Sequence, residues 1–109
     1  MENSYYIVNK TDRITNNIIS KYEFVNIITT RSQQIANDIQ NKKNSIIFIN
    51  INDLDSSKIH NSSYVAMEEF KQNKIPYIIK RIIGYNKIEL WNLIEDNMYY
   101  IDELNISLD

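Results

Sequence analysis

The strongest constraint on the fold is a helical pattern over residues 20–40. Ser20 and Glu23 have the spacing of a capping box, in which a hydroxyl and a carboxylate satisfy free amides at the start of a helix. Apolar or small residues then recur at steps that match about 3.6 residues per turn: Val25, Ile28, Ser32, Ile35 and Ile39. We therefore predict one long amphipathic helix.

This helix carries more apolar surface than one stripe. Tyr22, Phe24 and Ile27 lie beside the stripe and widen it. A chain of 109 residues builds about one small domain with a modest core. We therefore expect the helix to be held against a partner as well as against its own domain.

The rest of the chain predicts a second helix and a few short strands. Residues 41–44 suggest a polar turn, 45–51 a strand or extended segment, and 52–63 a long, mobile loop. Residues 64–73 predict a helix capped by Asn61, Ser62 or Ser63, and its apolar face consists of Val65, Ala66 and Phe70.

A hairpin is predicted after this helix. Residues 75–83 read as a strand, 84–87 as a turn and 88–91 as the returning strand, with Trp91 in its core. The segment 92–109 suits a last short strand or a tail, and residues 5–8 could add an edge strand or lie over the domain. We expect residues 1–19 to be ordered mainly by a partner. The fold class is α+β, with two principal helices and a short C-terminal β-hairpin or small sheet.

Composition excludes several kinds of site. The chain has no cysteine, and its formal net charge of −2 lacks the basic excess of an autonomous nucleic-acid binder. Gly84 is the one glycine, so a phosphate-cradling glycine loop is absent. No apolar run approaches the roughly 20 residues that span a bilayer, and no secretory signal is visible, so we expect no membrane partner.

The remaining polar residues give weak chemical signals. His60 lies in a polar loop, and a metal site with Asp53 and Asp55 lacks the glycine and distal glutamate of a calcium loop. The carboxylate pairs 68–69 and 95–96 are predicted to be solvated surface. A weak positive patch is conceivable from Lys71, Lys74, Lys80, Arg81 and Lys87. We expect no active site, no metal and no cofactor.

Arg31 has two interpretations of equal weight. It could be a surface cation that pairs with Asp38, or a partly buried fork that hydrogen-bonds a carboxylate or backbone across an interface. Thr30 and Gln34 extend it into a polar strip of neutral donors and acceptors, which suits a docked surface.

Six short blocks in order carry a family resemblance: residues 13–15, 20–23, 30–36, 65–70, 74–81 and 89–91. Together they resemble the small assembly subunit of multisubunit DNA-directed RNA polymerases, which comprises the eukaryotic common sixth subunit, archaeal subunit K and bacterial omega. The most specific blocks are Thr30-Arg31-x-x-Gln34-Ile35-Ala36 and residues 74–81. The resemblance covers a single omega-like domain over residues 13–102, between tails at 1–12 and 103–109, and is greatest to the eukaryotic and archaeal branch.

The resemblance implies a non-catalytic subunit that docks on the largest catalytic subunit, near the C-terminal region of that subunit, and promotes its assembly. DNA would be contacted only through the complex, and no homo-oligomer is expected. Carried over by position, the residues that form or support the docking surface are Lys21, Tyr22, Glu23, Thr30, Arg31, Gln34, Ile35, Ala36, Ile75, Pro76 and Arg81.

The chain departs from the family pattern at two helix positions. Ser32 stands where the family prefers alanine, and Thr29 where it often has glycine. With an Ile- and Asn-rich composition, these departures suggest a divergent lineage, either a large DNA virus or a protist. The protein would then work inside cells, in a viral factory or virion or in a nucleus. The alternative function is a free-standing adaptor or regulator that uses the same fold to bind a polymerase.

Overall fold

The computed structural model describes residues 4–41 and 46–101. Its fold class is α+β, as predicted, with two α-helices and small sheets. The helices are α1 (Lys21–Gln40) and α2 (Ser62–Lys71), and the strands are β1 (Tyr6–Ile7), β2 (Ile18–Ile19), β3 (Ile78–Gly84), β4 (Lys87–Asn92) and β5 (Tyr99–Tyr100). Neither of these helices has the length and hydropathy needed to cross a membrane.

The chain divides into two compact units. The helical unit comprises residues 21–75, and the strand unit combines residues 1–20 with residues 76–109. Each unit has buried apolar residues of its own and is described separately below.

Both helices begin directly after a residue that the sequence offered as a cap. Helix α1 starts directly after Ser20, the predicted cap. Helix α2 starts at Ser62, two residues earlier than predicted, because Asn61 is the cap among the three candidates. The Oδ1 atom of Asn61 accepts a hydrogen bond from the backbone N–H of Tyr64 at 3.2 Å. This bond satisfies one of the amides that the first turn of a helix leaves free.

The core of the helical unit joins α1, α2 and the connection between them. Ile35, Leu54, Val65 and Ala66 are buried, and five partly buried residues pack around them: Ile28, Ile47, Ile49, Ile59 and Tyr64. Phe24 and Phe70 add an edge-to-face contact at 5.1 Å between ring centroids. The predicted polar loop at 52–63 therefore also supplies apolar residues to the core.

Residues 45–51 were predicted to be a strand or an extended segment, and the strand alternative is wrong over the described part. Residues 46–50 form no strand, and Ile51–Asp53 is a short 3-10 turn. The N–H of Phe48 donates to Glu69 Oε2 at 2.8 Å, and the carbonyl of Ile46 accepts from Arg31 Nη2 at 2.6 Å. Because buried side chains take these backbone groups, no neighbouring strand is needed to satisfy them.

The strand unit is built on the predicted hairpin. β3 and β4 pair antiparallel, with Ile79 opposite Trp91 and Arg81 opposite Glu89. Asn86 in the turn has φ of 62°, a left-handed conformation that asparagine tolerates. Trp91 is buried, as predicted. Strand β3 begins at Ile78 rather than at residue 75.

The N-terminal and C-terminal segments add short parallel pairs. β1 pairs with β4 to give the sheet order β1-β4-β3, which confirms the edge-strand alternative for residues 5–8. β2 pairs with β5, which confirms a last short strand within 92–109. Both N-terminal strands thus pair within the chain, where a partner had been expected to order them. Residues 102–109 lie outside the described residues.

Candidate docking surface

Helix α1 has two apolar sides, of which the helical unit covers one. Ile27, Arg31 and Ile35 are buried. Tyr22 and Val25 are 77% and 50% exposed, and Ile39 at the far end is 55% exposed. The sequence pattern placed Val25 and Ile39 on one apolar stripe with Ile35, but of these three residues the helical unit buries only Ile35. Helix α1 contacts α2 through Phe24, Arg31 and Ile35.

A regular row of residues on this side of α1 is here called the outer stripe: Tyr22, Val25, Thr29, Ser32, Ala36 and Ile39. All of them are exposed except Ser32, which is buried. Their spacing alternates between three and four residues, which places them along one side of a helix, as in a coiled-coil seam. The two ends of the stripe are apolar, and its middle consists of small side chains. Small residues let another backbone approach closely, so the outer stripe suits a docked helix or extended chain.

A shallow groove of about 300 Å³ runs beside the middle of the outer stripe. It lies between α1 and the first turn of α2, and its lining residues are Ile28, Thr29, Ser32, Gln33, Ala36, Ser62 and Ser63. The hydroxyl of Ser32 is buried and has no hydrogen-bond partner among the described residues. A buried hydroxyl without a partner costs free energy, so this position favours either a binding partner or a smaller apolar side chain.

A buried ion pair fixes α1 against α2. Arg31 Nε lies 2.6 Å from Glu69 Oε1, and Arg31 Nη2 lies 2.9 Å from Glu69 Oε2. The same guanidinium donates to Gln34 Oε1 at 2.8 Å and to the carbonyl of Ile46, and it stacks on the ring of Phe48 at 4.3 Å. Arg31 is not the surface cation of the first interpretation. It is a fork that binds a carboxylate and a backbone carbonyl, as in the second interpretation, but these bonds form inside the helical unit and not across an interface.

Glu69 is a structural residue that the sequence interpretation missed. It was predicted to be solvated with Glu68, yet its side chain is 0% exposed. Glu68 behaves as predicted and pairs with Lys71 at 3.1 Å near the surface. The signal was available, because Glu69 lies three and four residues after Ala66 and Val65 on the apolar side of α2. A carboxylate there needs a buried cation, and Arg31 is a suitable one.

The strand unit has a second polar centre, at Glu89. This fully buried carboxylate accepts hydrogen bonds from the N–H of Ile14 at 2.7 Å, from Trp91 Nε1 at 2.9 Å and from the hydroxyl of Thr15. Burial raises the pKa of Glu89, but these hydrogen bonds outweigh burial and lower the pKa to about 2. Glu89 is therefore an ionised anchor for the segment that precedes β2.

Two arginines hold the same N-terminal segment. Arg81 donates to Thr15 Oγ1 at 2.9 Å and to the carbonyls of Asn16 and Ile18 at 2.5 and 3.0 Å. Arg13 lies 3.9 Å over the ring of Trp91. Arg13 also binds both carboxylate oxygens of Asp96, at 3.2 and 3.1 Å.

Asp96 is thereby tied to the N-terminal segment. The prediction that the pair 95–96 is solvated is wrong for Asp96, and the hydrogen bonds from Arg13 lower the pKa of this carboxyl. A pairing between positions 13 and 96 depends on the folded sheet and has no local signature in the sequence.

The predicted docking residues fall into three groups by exposure. Lys21, Tyr22, Thr30, Gln34, Ala36 and Pro76 are exposed, Glu23 and Arg81 are half-buried, and Arg31, Ile35 and Ile75 are buried. Pro76 and Arg81 belong to the strand unit and the others to the helical unit. The exposed members can touch a partner directly, whereas the buried members can only support the surface.

The described residues offer no group of three or more histidines and carboxylates that could hold a metal ion. His60 is exposed, as predicted. No protein-family model matches the chain.

Proposed function

We propose that this chain is a non-catalytic subunit of a multisubunit DNA-directed RNA polymerase, which docks on the largest subunit and promotes its assembly. The observation that carries the proposal is the outer stripe of α1. Part of the family-like block 30–36 lies along this stripe, and the described chain leaves the apolar ends of the stripe uncovered.

The two polar centres support the proposal, because they bring the family-like blocks together. Arg31 of block 30–36 binds Glu69 of block 65–70. In the strand unit, Thr15 of block 13–15 and Arg81 of block 74–81 meet beside Glu89 of block 89–91. Residues that are far apart in the sequence and belong to the family-like blocks thus stabilise each unit by contacting one another.

The exposure of the predicted docking residues separates those that would contact the partner from those that would only position α1. Tyr22, Thr30 and Ala36 are exposed on α1 and would contact the largest subunit. Arg31 would act by positioning α1. Burying the exposed apolar ends of the outer stripe would contribute at most about 1.5–3 kcal/mol for each large side chain, which offsets part of the free-energy cost of association. The compartment of the protein would be that of the polymerase.

The test compares two exposed tyrosines. Tyr22 on α1 is 77% exposed and Tyr85 in the β3–β4 turn is 90% exposed, so Tyr22→Ala and Tyr85→Ala remove the same atoms from an exposed position. The tagged chain is purified from cells that contain a largest polymerase subunit, and the recovery of that subunit is measured. An aromatic anchor contributes about 2 kcal/mol or more, which is roughly a 30-fold change in affinity.

We expect Tyr22→Ala, and Ala36→Glu at the middle of the stripe, to lose the largest subunit while Tyr85→Ala retains it. Circular dichroism of each variant checks that the helices persist. If Tyr22→Ala and Ala36→Glu retain the subunit as well as Tyr85→Ala does, α1 is not the docking element. If the unsubstituted chain recovers no polymerase subunit at all, the proposed function is wrong.

A further inference from the structure

Strand β3 has one edge without a neighbour among the described strands, since it pairs only with β4. The register shows which residues face that edge. The carbonyl of Ile88 accepts from Val8 N at 2.9 Å, so the backbone of Ile88 points toward β1 and away from β3. Its cross-strand partner Ile82 must then point its own N–H and C=O toward the unpaired edge.

Backbone direction alternates along a strand, so Ile78 and Lys80 share this orientation with Ile82. The side chains of these three residues also share one face, and all three are exposed, with Ile78 at 60% and Ile82 at 66%. The ammonium of Lys80 lies 5.0 Å from the ring centroid of Tyr5, so an acidic side chain opposite Lys80 would compete with that contact. We call Ile78, Lys80 and Ile82 the open edge of β3. They present backbone hydrogen-bonding groups and apolar side chains together, which is the combination that accepts an added strand.

We propose that the open edge of β3 binds an extended segment of another protein as an added β-strand. The segment carries an acidic residue opposite Lys80, flanked at alternate positions by apolar residues that face Ile78 and Ile82. Backbone hydrogen bonds supply the general affinity, and the alternate side chains supply the selectivity. This inference goes beyond the proposed function and does not depend on the partner being a polymerase subunit.

Charge argues against a second copy of this chain as the occupant. An antiparallel pairing of two open edges with full overlap places Lys80 opposite Lys80 and Ile78 opposite Ile82. Like charges directly opposite each other are destabilising in a sheet. Shifting the register by two residues separates the lysines but reduces the overlap, and in one of the two directions it also brings Pro76, which has no N–H, into the pairing. A segment with an acidic residue has neither defect.

The test uses two synthetic peptides and the isotope-labelled 109-residue chain. One capped peptide has the sequence Thr-Val-Thr-Glu-Thr-Val-Thr, and the other has Lys in place of Glu. We expect saturable NMR shifts and slowed hydrogen exchange at the amides of Ile78, Lys80 and Ile82, with a dissociation constant of about 1 mM or lower for the Glu peptide. The Lys peptide is expected to bind roughly fivefold more weakly, and Lys80→Glu to reverse this preference.

Two further variants separate the contribution of the backbone hydrogen bonds to binding from the contribution of the Lys80 charge. Lys80→Thr and Lys80→Pro both remove the ammonium group, but only proline removes the outward N–H, and an edge strand tolerates proline there because no bond to β4 is lost. We expect Lys80→Thr to bind both peptides equally and Lys80→Pro to bind at least tenfold more weakly than Lys80→Thr. A far-ultraviolet spectrum shows whether each variant keeps its fold.

Several results would overturn the proposal. They are the absence of saturable shifts with either peptide, equal binding by Lys80→Pro and Lys80→Thr, dimerisation through β3, and peptide binding that appears only after residues 102–109 are removed. The last result would assign the edge to the chain's own C-terminal segment. None of them would alter the expected loss of the largest polymerase subunit in Tyr22→Ala. Each of the two proposals can therefore be refuted without affecting the other.

Discussion

Replacing Glu69 with leucine should destabilise the helical unit strongly. The side chain of Glu69 accepts three N–H groups, two from Arg31 and one from Phe48, at 2.6–2.9 Å. Glu69→Leu leaves a guanidinium that is 2% exposed without its counter-ion. Breaking a buried pair in this way costs about 3–5 kcal/mol, a large part of the 5–15 kcal/mol that stabilises a typical domain.

The double variant Arg31→Met/Glu69→Leu should be far more stable than the sum of its parts. It buries no charge, and its main loss is the unpaired N–H of Phe48, at about 1–3 kcal/mol. Each single substitution costs about 3–5 kcal/mol, so the cycle should give a coupling of at least ~3 kcal/mol. The matched control is the exposed pair of Lys71 and Glu68 on α2, where the same cycle should give less than ~0.5 kcal/mol.

The free energies of unfolding are measured at neutral pH in urea by far-ultraviolet circular dichroism, which follows α1 and α2. A coupling between positions 31 and 69 as small as that of the control pair would refute the reasoning. It would mean that the guanidinium reaches water when Glu69 is absent, and that Arg31 does not fix the two helices.

Two other predictions follow from the buried polar groups. Ser32→Ala should stabilise the isolated chain against urea by about 1 kcal/mol, because it removes a buried hydroxyl without a partner; a loss of stability would show that the hydroxyl has a partner. Glu89 has a pKa of about 2 when folded, below its ordinary 4.5, so its contribution is complete above pH 4.5 and is lost as the pH falls toward 2. Unfolding followed by Trp91 fluorescence should show this loss, and Glu89→Gln should flatten it; an equally steep acid transition in Glu89→Gln would contradict the assignment.

The features that the sequence predicted correctly depend on local information. Helix α1 follows from its cap and its period, and the β3–β4 hairpin follows from two β-rich runs around a short turn. The parallel pairing of β1 with β4 joins positions about 80 residues apart, and only the possibility of an edge strand was visible.

The wrong predictions for residues 46–51, Glu69 and Asp96 share a cause, which is a hydrogen bond or ion pair with a side chain that is distant in the sequence. Residues 46–51 have high β propensity, but Arg31 and Glu69 take the backbone groups of Ile46 and Phe48. Two carboxylates assigned to the surface, Glu69 and Asp96, bind arginines that lie 38 and 83 residues away in the sequence. Such pairs are determined by tertiary packing, so composition and spacing did not reveal them.

Site-specific photo-crosslinking tests most directly whether the outer stripe of α1 contacts a polymerase, as proposed. A photoreactive phenylalanine analogue replaces Tyr22 in one preparation and Tyr85 in another, and both proteins are irradiated inside the cells that express the chain. The account predicts that the analogue at position 22 crosslinks to the largest subunit of an RNA polymerase and that the analogue at position 85 does not. Crosslinks from position 22 to unrelated proteins, or to none, would contradict it.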